Sequence, residues 1–189
     1  NKTFNNLSSL NQKSIVVPLG EVKITRKIKS LGIIVRTNSN IHISDQNKKR
    51  IFNEDKLDYI LKSLKSLIIT IDSFNKIYPN FKINLTLIDQ SNSETVNQKF
   101  NEILSKLNFK TNLIAFDKNE FKNEINLDYN KDVFGNLSSL LKCFKVGKEN
   151  KDDLVLFLED DYLHKETMIE EMVMTYERIS SQLKKELIM

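Results

Sequence analysis

Three consecutive acids, Glu159-Asp160-Asp161, follow directly on five apolar residues, Leu154 to Leu158. Carboxylates packed this closely repel one another and lose hydration where an apolar strand ends. A divalent cation relieves that repulsion, and hard oxygen ligands suit Mg²⁺ or Mn²⁺. Such ions keep several waters and commonly complete their shell with substrate phosphates. In an extended segment residues two apart project the same way. Glu159 and Asp161 can therefore face one site, with Asp160 opposite. The competing reading is an exposed acidic turn that caps the next segment, and spacing alone does not separate the two.

The elements that must position these acids can be read from the apolar pattern. Leu31-Gly32-Ile33-Ile34-Val35 and Ile83 to Ile88 read as strands buried on both faces, as does the run before the acids, with a further strand at Leu113 to Phe116. Residues 55–78 carry Leu57, Ile60, Leu61, Leu64, Leu67, Ile68, Ile71, Phe74 and Ile77 at helical spacing, and Pro79 stops the helix. A second helix begins after Ser93, with Val96, Phe100, Ile103 and Leu104 inward. A third spans Asn136 to Val146, with Leu137, Leu140, Leu141 and Phe144 inward. A last one, from about Lys165 to Leu187, shows Met168, Met172, Tyr176, Ile179 and Leu183 on one face.

Alternating strands and helices predict an α/β fold, a mainly parallel sheet with helices on both faces. Ligands in such sheets bind beyond the carboxyl ends of the strands. Arg36-Thr37-Asn38, Asp89-Gln90-Ser91 and Glu159-Asp160-Asp161 are therefore expected along one edge. Residues 1–30 read as an extension, polar to about residue 14 and then a short peripheral hairpin or extended segment around Pro18-Leu19-Gly20, ahead of a domain at 31–189. Residues 39–53 read as a long polar loop, a kind that is often functional.

Bulk properties narrow the class. The 189 residues, 40% hydrophobic and 29% charged, suit a globular domain with a core. The net charge of +4 comes from 29 bases interspersed with 25 acids, without a basic arm for nucleic acid. A mildly basic surface also suits an anionic substrate. No apolar run reaches the roughly 18–20 residues of a membrane span, and a cytoplasmic location, at most at the membrane periphery, is expected. Cys143 is the sole cysteine and reads as a buried structural thiol. Two histidines, His42 and His164, with one cysteine do not build a His-rich zinc site.

The segment from Leu154 to Tyr162 resembles the metal-binding strand and Asp-x-Asp-type motif of GT-A glycosyltransferases, in particular their family 2-like group within the nucleotide-diphospho-sugar transferases. Here the motif reads Glu159-x-Asp161. Ile33 to Thr37 resembles the first strand of that fold with its nucleotide-contacting end. Leu85 to Asp89 resembles the second, whose terminal Asp meets the nucleobase. Gly135-Asn136 resembles the element that precedes the acidic strand. Asp89-Gln90-Ser91-Asn92 stands where Asp-Asp-Gly-Ser is usual. The resemblance covers about residues 31–165, the donor-binding part.

It implies a UDP- or GDP-sugar donor, an acceptor that is a glycan, lipid or protein, and Mn²⁺ or Mg²⁺ held by Glu159 and Asp161. Arg36, Thr37, Asp89, Asn136, Glu159 and Asp160 are the implied nucleotide-sugar contacts. No catalytic base is assigned, because the family's acceptor-binding elements lie beyond the acidic motif. A truncated chain, a disordered remainder and a reduced domain all fit, and the chain starts at Asn1 rather than Met. The alternative function is a non-catalytic or degenerate nucleotide-sugar-binding or interaction domain. Nucleotidyl transfer ranks lower, since Thr37-Asn38-Ser39-Asn40 lacks the expected glycines. Tyr162 is a candidate to stack near donor or acceptor, or simply a packing residue.

Overall fold

The computed structural model describes residues 2–5, 13–16, 22–39, 54–90, 93–125 and 131–189. Pro18-Leu19-Gly20, nearly all of the long polar loop (40–53, with His42), and Ser91-Asn92 lie outside these. The chain divides into two compact units, one of residues 29–168 and one of residues 1–28 with 169–189.

In the smaller unit, β1 (Lys2–Asn5) pairs antiparallel with β2 (Lys13–Val16). The strand character of Ile15-Val16 is as expected, but its partner is the polar stretch near the start rather than Val22 to Ile24. Residues 22–29 run without regular structure. Most of α4 (Met168–Leu183) belongs to this unit, and its buried residues are Ile169, Val173, Tyr176, Glu177, Ser180 and Ser181. The buried stripe keeps Tyr176 of the predicted face but is turned away from Met168, Met172, Ile179 and Leu183, which are only partly buried. Two of its polar members explain the turn. Ser181 Oγ accepts from the backbone N–H groups of Thr25 and Arg26 at 2.9 and 3.0 Å, and Glu177 Oε1 accepts from that of Ile28 at 2.9 Å. Side chains of α4 take the place of a neighbouring strand for this extended backbone.

The larger unit carries the predicted sheet. β3 (Ser30–Thr37), β4 (Lys82–Asp89), β5 (Lys110–Ala115) and β6 (Leu154–Glu159) lie in the order β5-β4-β3-β6, all parallel. α1 (Lys56–Ile77) and α2 (Glu94–Leu104) connect the first three strands, and α3 (Lys131–Glu149) crosses from β5 to β6. The order reverses direction at β3, so right-handed crossovers place α1 and α2 on one face and α3 on the other. The α3 face is a core of Ile34, Ile88, Phe116, Phe121 and Cys143, with Leu141, Val146 and Val155 packed against it. Leu31, Ile33, Val35, Ile83, Leu85 and Leu87 are buried on the opposite face. α1 buries Ile60, Leu64, Leu67, Ile71 and Phe74 at spacings of three and four.

Gly32 interrupts the apolar run of β3 for a packing reason. A Cβ there would come within 2.8 Å of Asp152 Oδ2 in the turn between α3 and β6. That turn is tied to the amino edge of the sheet: Asp153 Oδ2 accepts from the Lys29 N–H at 2.6 Å, and Asp152 Oδ1 from Asn84 at 2.6 Å. α3 is longer than predicted at both ends, and its predicted inward face holds only in part: Leu141 packs against the core and Cys143 is buried, but Leu140 and Phe144 are exposed, as is Ile77 at the end of the predicted α1 stripe. The first turns of α3 include Phe134 and Gly135, both buried.

Two outcomes check this packing. Leu87→Ala, in a central strand, should cost about 2–5 kcal/mol, read as a lower urea midpoint. Burial pushes the Cys143 thiol up from its ordinary 9.0 to about 11. Native protein at pH 8 should therefore resist a thiol reagent that labels the unfolded chain at once. The unfolded thiol ionises first, so this contribution to stability is complete below pH 9 and is lost as pH climbs towards 11.

Candidate functional site

Register decides which side chains meet at the carboxyl edge. Thr37 lies opposite Asp89, and Arg36 opposite Glu159. Directly opposed residues on adjacent strands share a face, so each pair is a side-chain contact. The edge also holds the switch point, where the strand order turns and β3 has β4 on one side and β6 on the other.

On the α3 face, Arg36 forms an ion pair with Glu159 and donates to Asn136 Oδ1. The same guanidinium nitrogen that meets Asn136 lies 3.4 Å from Ser139 Oγ. Glu159 keeps 49% of its side-chain surface exposed. Beside Asn136 on α3, Gly135 lies against the Gln90 side chain, where a Cβ would stand 2.9 Å from Gln90 Nε2. Gln90 in turn accepts from Asn38 Nδ2 at 3.3 Å.

On the other face, Asp160 is buried and its two oxygens are engaged. Oδ1 accepts from Lys56 Nζ at 2.6 Å and Oδ2 from the Asn38 backbone N–H at 3.1 Å. The acidic triplet therefore divides as an extended segment should, Glu159 to one side and Asp160 to the other. Asp161 follows in an exposed turn.

Asp89, on the same face as Thr37, has no exposed surface. Its Oδ1 accepts from the Thr37 hydroxyl at 2.7 Å and the Ser39 N–H at 3.2 Å, and its Oδ2 from the Ser39 hydroxyl at 3.1 Å. Its carboxylate pins the chain as it leaves β3. Of the residues singled out from sequence, Arg36, Asn136 and Glu159 form one cluster, Thr37 and Asp89 a second, and Asp160 a third.

Asn38 and Gln90, expected at the strand ends, complete these clusters together with Lys56, Ser39 and Ser139, which were not foreseen. Lys56 did leave a signal. A cation in the first turn of a helix opposes the macrodipole, and such a local conflict marks a position held for another reason. A second unforeseen feature lies on α1. The Ser66 hydroxyl accepts from the His164 N–H at 3.0 Å, the Thr70 hydroxyl donates to the Glu166 carbonyl at 2.8 Å, and that of Ser73 to the Glu166 carboxylate at 2.7 Å. Burial holds the His164 imidazole below its ordinary value, which favours the neutral ring.

Hard oxygen donors for a divalent cation are present in Glu159 and Asp161. Among the described residues no three His, Cys, Asp or Glu side chains gather as a ready cage. An ion here would need phosphate and water to complete its shell, which is the habit of Mg²⁺. Among the described residues no helix is long and apolar enough to cross a membrane.

The fold and site define an α/β protein with a four-stranded parallel sheet flanked by helices and a polar carboxyl edge at its switch point. No family model matches the chain, and no curated protein does. A solved structure with a similar chain is the crystal structure of S. aureus TarS 1–349, at 13% identity and a TM-score of 0.40, covering 77% of this chain. This chain spans 31% of that one. At that TM-score the likeness carries no weight for activity.

Asp89 generates the local prediction. Asp89→Ala should lower stability by about 2–4 kcal/mol, because it strips buried donors of a charged acceptor. Thr37→Val, which removes one of those donors, should cost about 1 kcal/mol. Chemical denaturation of both variants measures the difference. Equal and negligible losses would contradict the bonding described.

Proposed function

We propose that this chain forms the nucleotide-sugar-binding part of a metal-assisted glycosyltransferase of the GT-A kind. The observation that supports this reading is the meeting of Arg36, Asn136 and Glu159 at the switch point, with Asp161 exposed two residues further on. The residues come from three separate segments, and their chemistry is complementary to a diphosphate. The Arg36 guanidinium offers a planar fork that matches phosphate oxygens. Asn136 holds that fork in place. Glu159 and Asp161 would hold Mn²⁺ or Mg²⁺, and when bound the cation would offset the charge that develops on the departing diphosphate.

Asp160 has a different task in this reading. Held by Lys56 and Asn38, it anchors the strand end and leaves its two neighbours as the exposed acids. Thr37 and Asp89 fix the turn against which the nucleoside would rest. The donor is a UDP- or GDP-sugar and the acceptor a glycan, lipid or protein. A catalytic base is not assigned.

Calorimetric titration of UDP- and GDP-sugars with and without Mn²⁺ tests this. Metal-dependent binding is expected, and Asp161→Ala should weaken it about tenfold or more, the scale on which loss of a supporting metal-site group acts. Asp160→Asn should instead act mainly on stability. Folded protein that binds no nucleotide under either condition would refute the transferase reading and favour a non-catalytic interaction domain.

A further inference from the structure

Immediately after the acids the chain presents two large side chains to solvent: Tyr162 is 57% exposed and Leu163 77% exposed. Exposed apolar residues are common when scattered singly. This pair differs in how its backbone is held. On one side Asp160 is bonded to Lys56 and to the Asn38 N–H. On the other, the His164 N–H donates to Ser66, and Glu166 is bound by Thr70 and Ser73. Ser66, Thr70 and Ser73 fall at i, i+4 and i+7 and form a hydroxyl stripe along α1. The segment is an arch with both feet fixed, lifting a tyrosine and a leucine at its crown beside the acidic edge.

A fixed arch that keeps its apolar groups in water suits a ligand that is apolar on one face and polar at its rim. A pyranose ring has that character: its C–H bonds gather on one face while its hydroxyls point outward. Tyrosine presents a flat apolar body with a polar tip, and fixing the backbone beforehand reduces the ordering cost of binding. Position selects which ring. In a nucleotide sugar the ring is bonded directly to the diphosphate. Tyr162 is the next residue after Asp161, and successive Cα atoms are about 3.8 Å apart. A diphosphate against Glu159 and Asp161 would bring its sugar within reach of the crown.

We infer that Tyr162 and Leu163 form the platform for the transferred sugar of the donor, an inference that rests on the function proposed above. Tyr162 is then a specificity-determining residue, recognising the ring and not the nucleotide.

The test compares each nucleotide sugar with its own bare nucleoside diphosphate, in Mn²⁺, by calorimetry on the full chain. Tyr162→Ala should weaken UDP- or GDP-sugar binding about tenfold and leave UDP or GDP unchanged. Tyr162→Phe, which keeps the ring, should bind both like the parent. The exposed position makes loss of folding in these variants improbable, and circular dichroism verifies it. Removing the far foot with Ser66→Ala and Thr70→Val should lower the same ratio by a smaller factor. Unchanged ratios in Tyr162→Ala, or equal losses for sugar and bare nucleotide, would overturn the platform while leaving the transferase reading intact. A parent protein that binds neither ligand would remove both.

Discussion

The last rungs of two parallel ladders that share β3, Thr37 opposite Asp89 on β4 and Arg36 opposite Glu159 on β6, set the positions of the polar groups at the carboxyl edge. A parallel strand buried on both faces can be apolar along its length, but its last residues must turn polar to meet solvent and loop. When several such ends lie side by side, their side chains become one another's nearest partners. A slip of one residue would send Arg36 and Glu159 to opposite faces and leave Asp89 buried without the Thr37 hydroxyl. The apolar interior and the polar edge therefore demand the same register. Burial of Ile33 and Ile34 on opposite faces fixes it from below, and the two rungs lock it from above.

Charge follows from that geometry. Three adjacent carboxylates would be an unfavourable end to a strand, yet pleating separates them. Glu159 goes to Arg36, Asp160 goes to Lys56, and Asp161 remains in water, where its charge is well solvated. The two ion pairs differ in kind. Arg36 and Glu159 are partly exposed, so their attraction is screened and open to exchange for another anion or cation. Lys56 and Asp160 are more enclosed, and the Asn38 amide adds a further bond.

Much of the sheet and its helices was legible because burial on both faces writes continuous apolar runs, and helices facing a sheet write spacings of three and four. The four strands and their parallel order followed from Leu31 to Val35, Ile83 to Ile88, Leu113 to Phe116 and Leu154 to Leu158. The placing of Arg36, Asp89 and Glu159 along one edge followed from strand ends alone, but not their division, with Asp89 bonded to Thr37 and Ser39 and Glu159 to Arg36. What escaped was polar burial. The inward face of α4 was misread because Glu177 and Ser181 are buried to satisfy backbone amides, and a hydrophobic pattern does not register them. Lys56 escaped because its partner is 104 residues away. Ser66 and Thr70 looked like interruptions of an apolar stripe, although with Ser63 and Ser73 they form a second stripe beside it.

That double stripe gives α1 two tasks with one orientation. Its apolar row, Ile60 to Phe74, sits in the core, while its hydroxyl row holds the chain beyond the acids. Each residue along a helix turns by about 100°, so any repacking that rolls α1 must swing the hydroxyls away from His164 and Glu166. The crown of the arch thus acts as a pointer geared to the hydrophobic interior. Changes buried far from solvent, such as a methyl lost at Leu67 or Ile71, would be transmitted as a displacement at the surface before the molecule lost its fold.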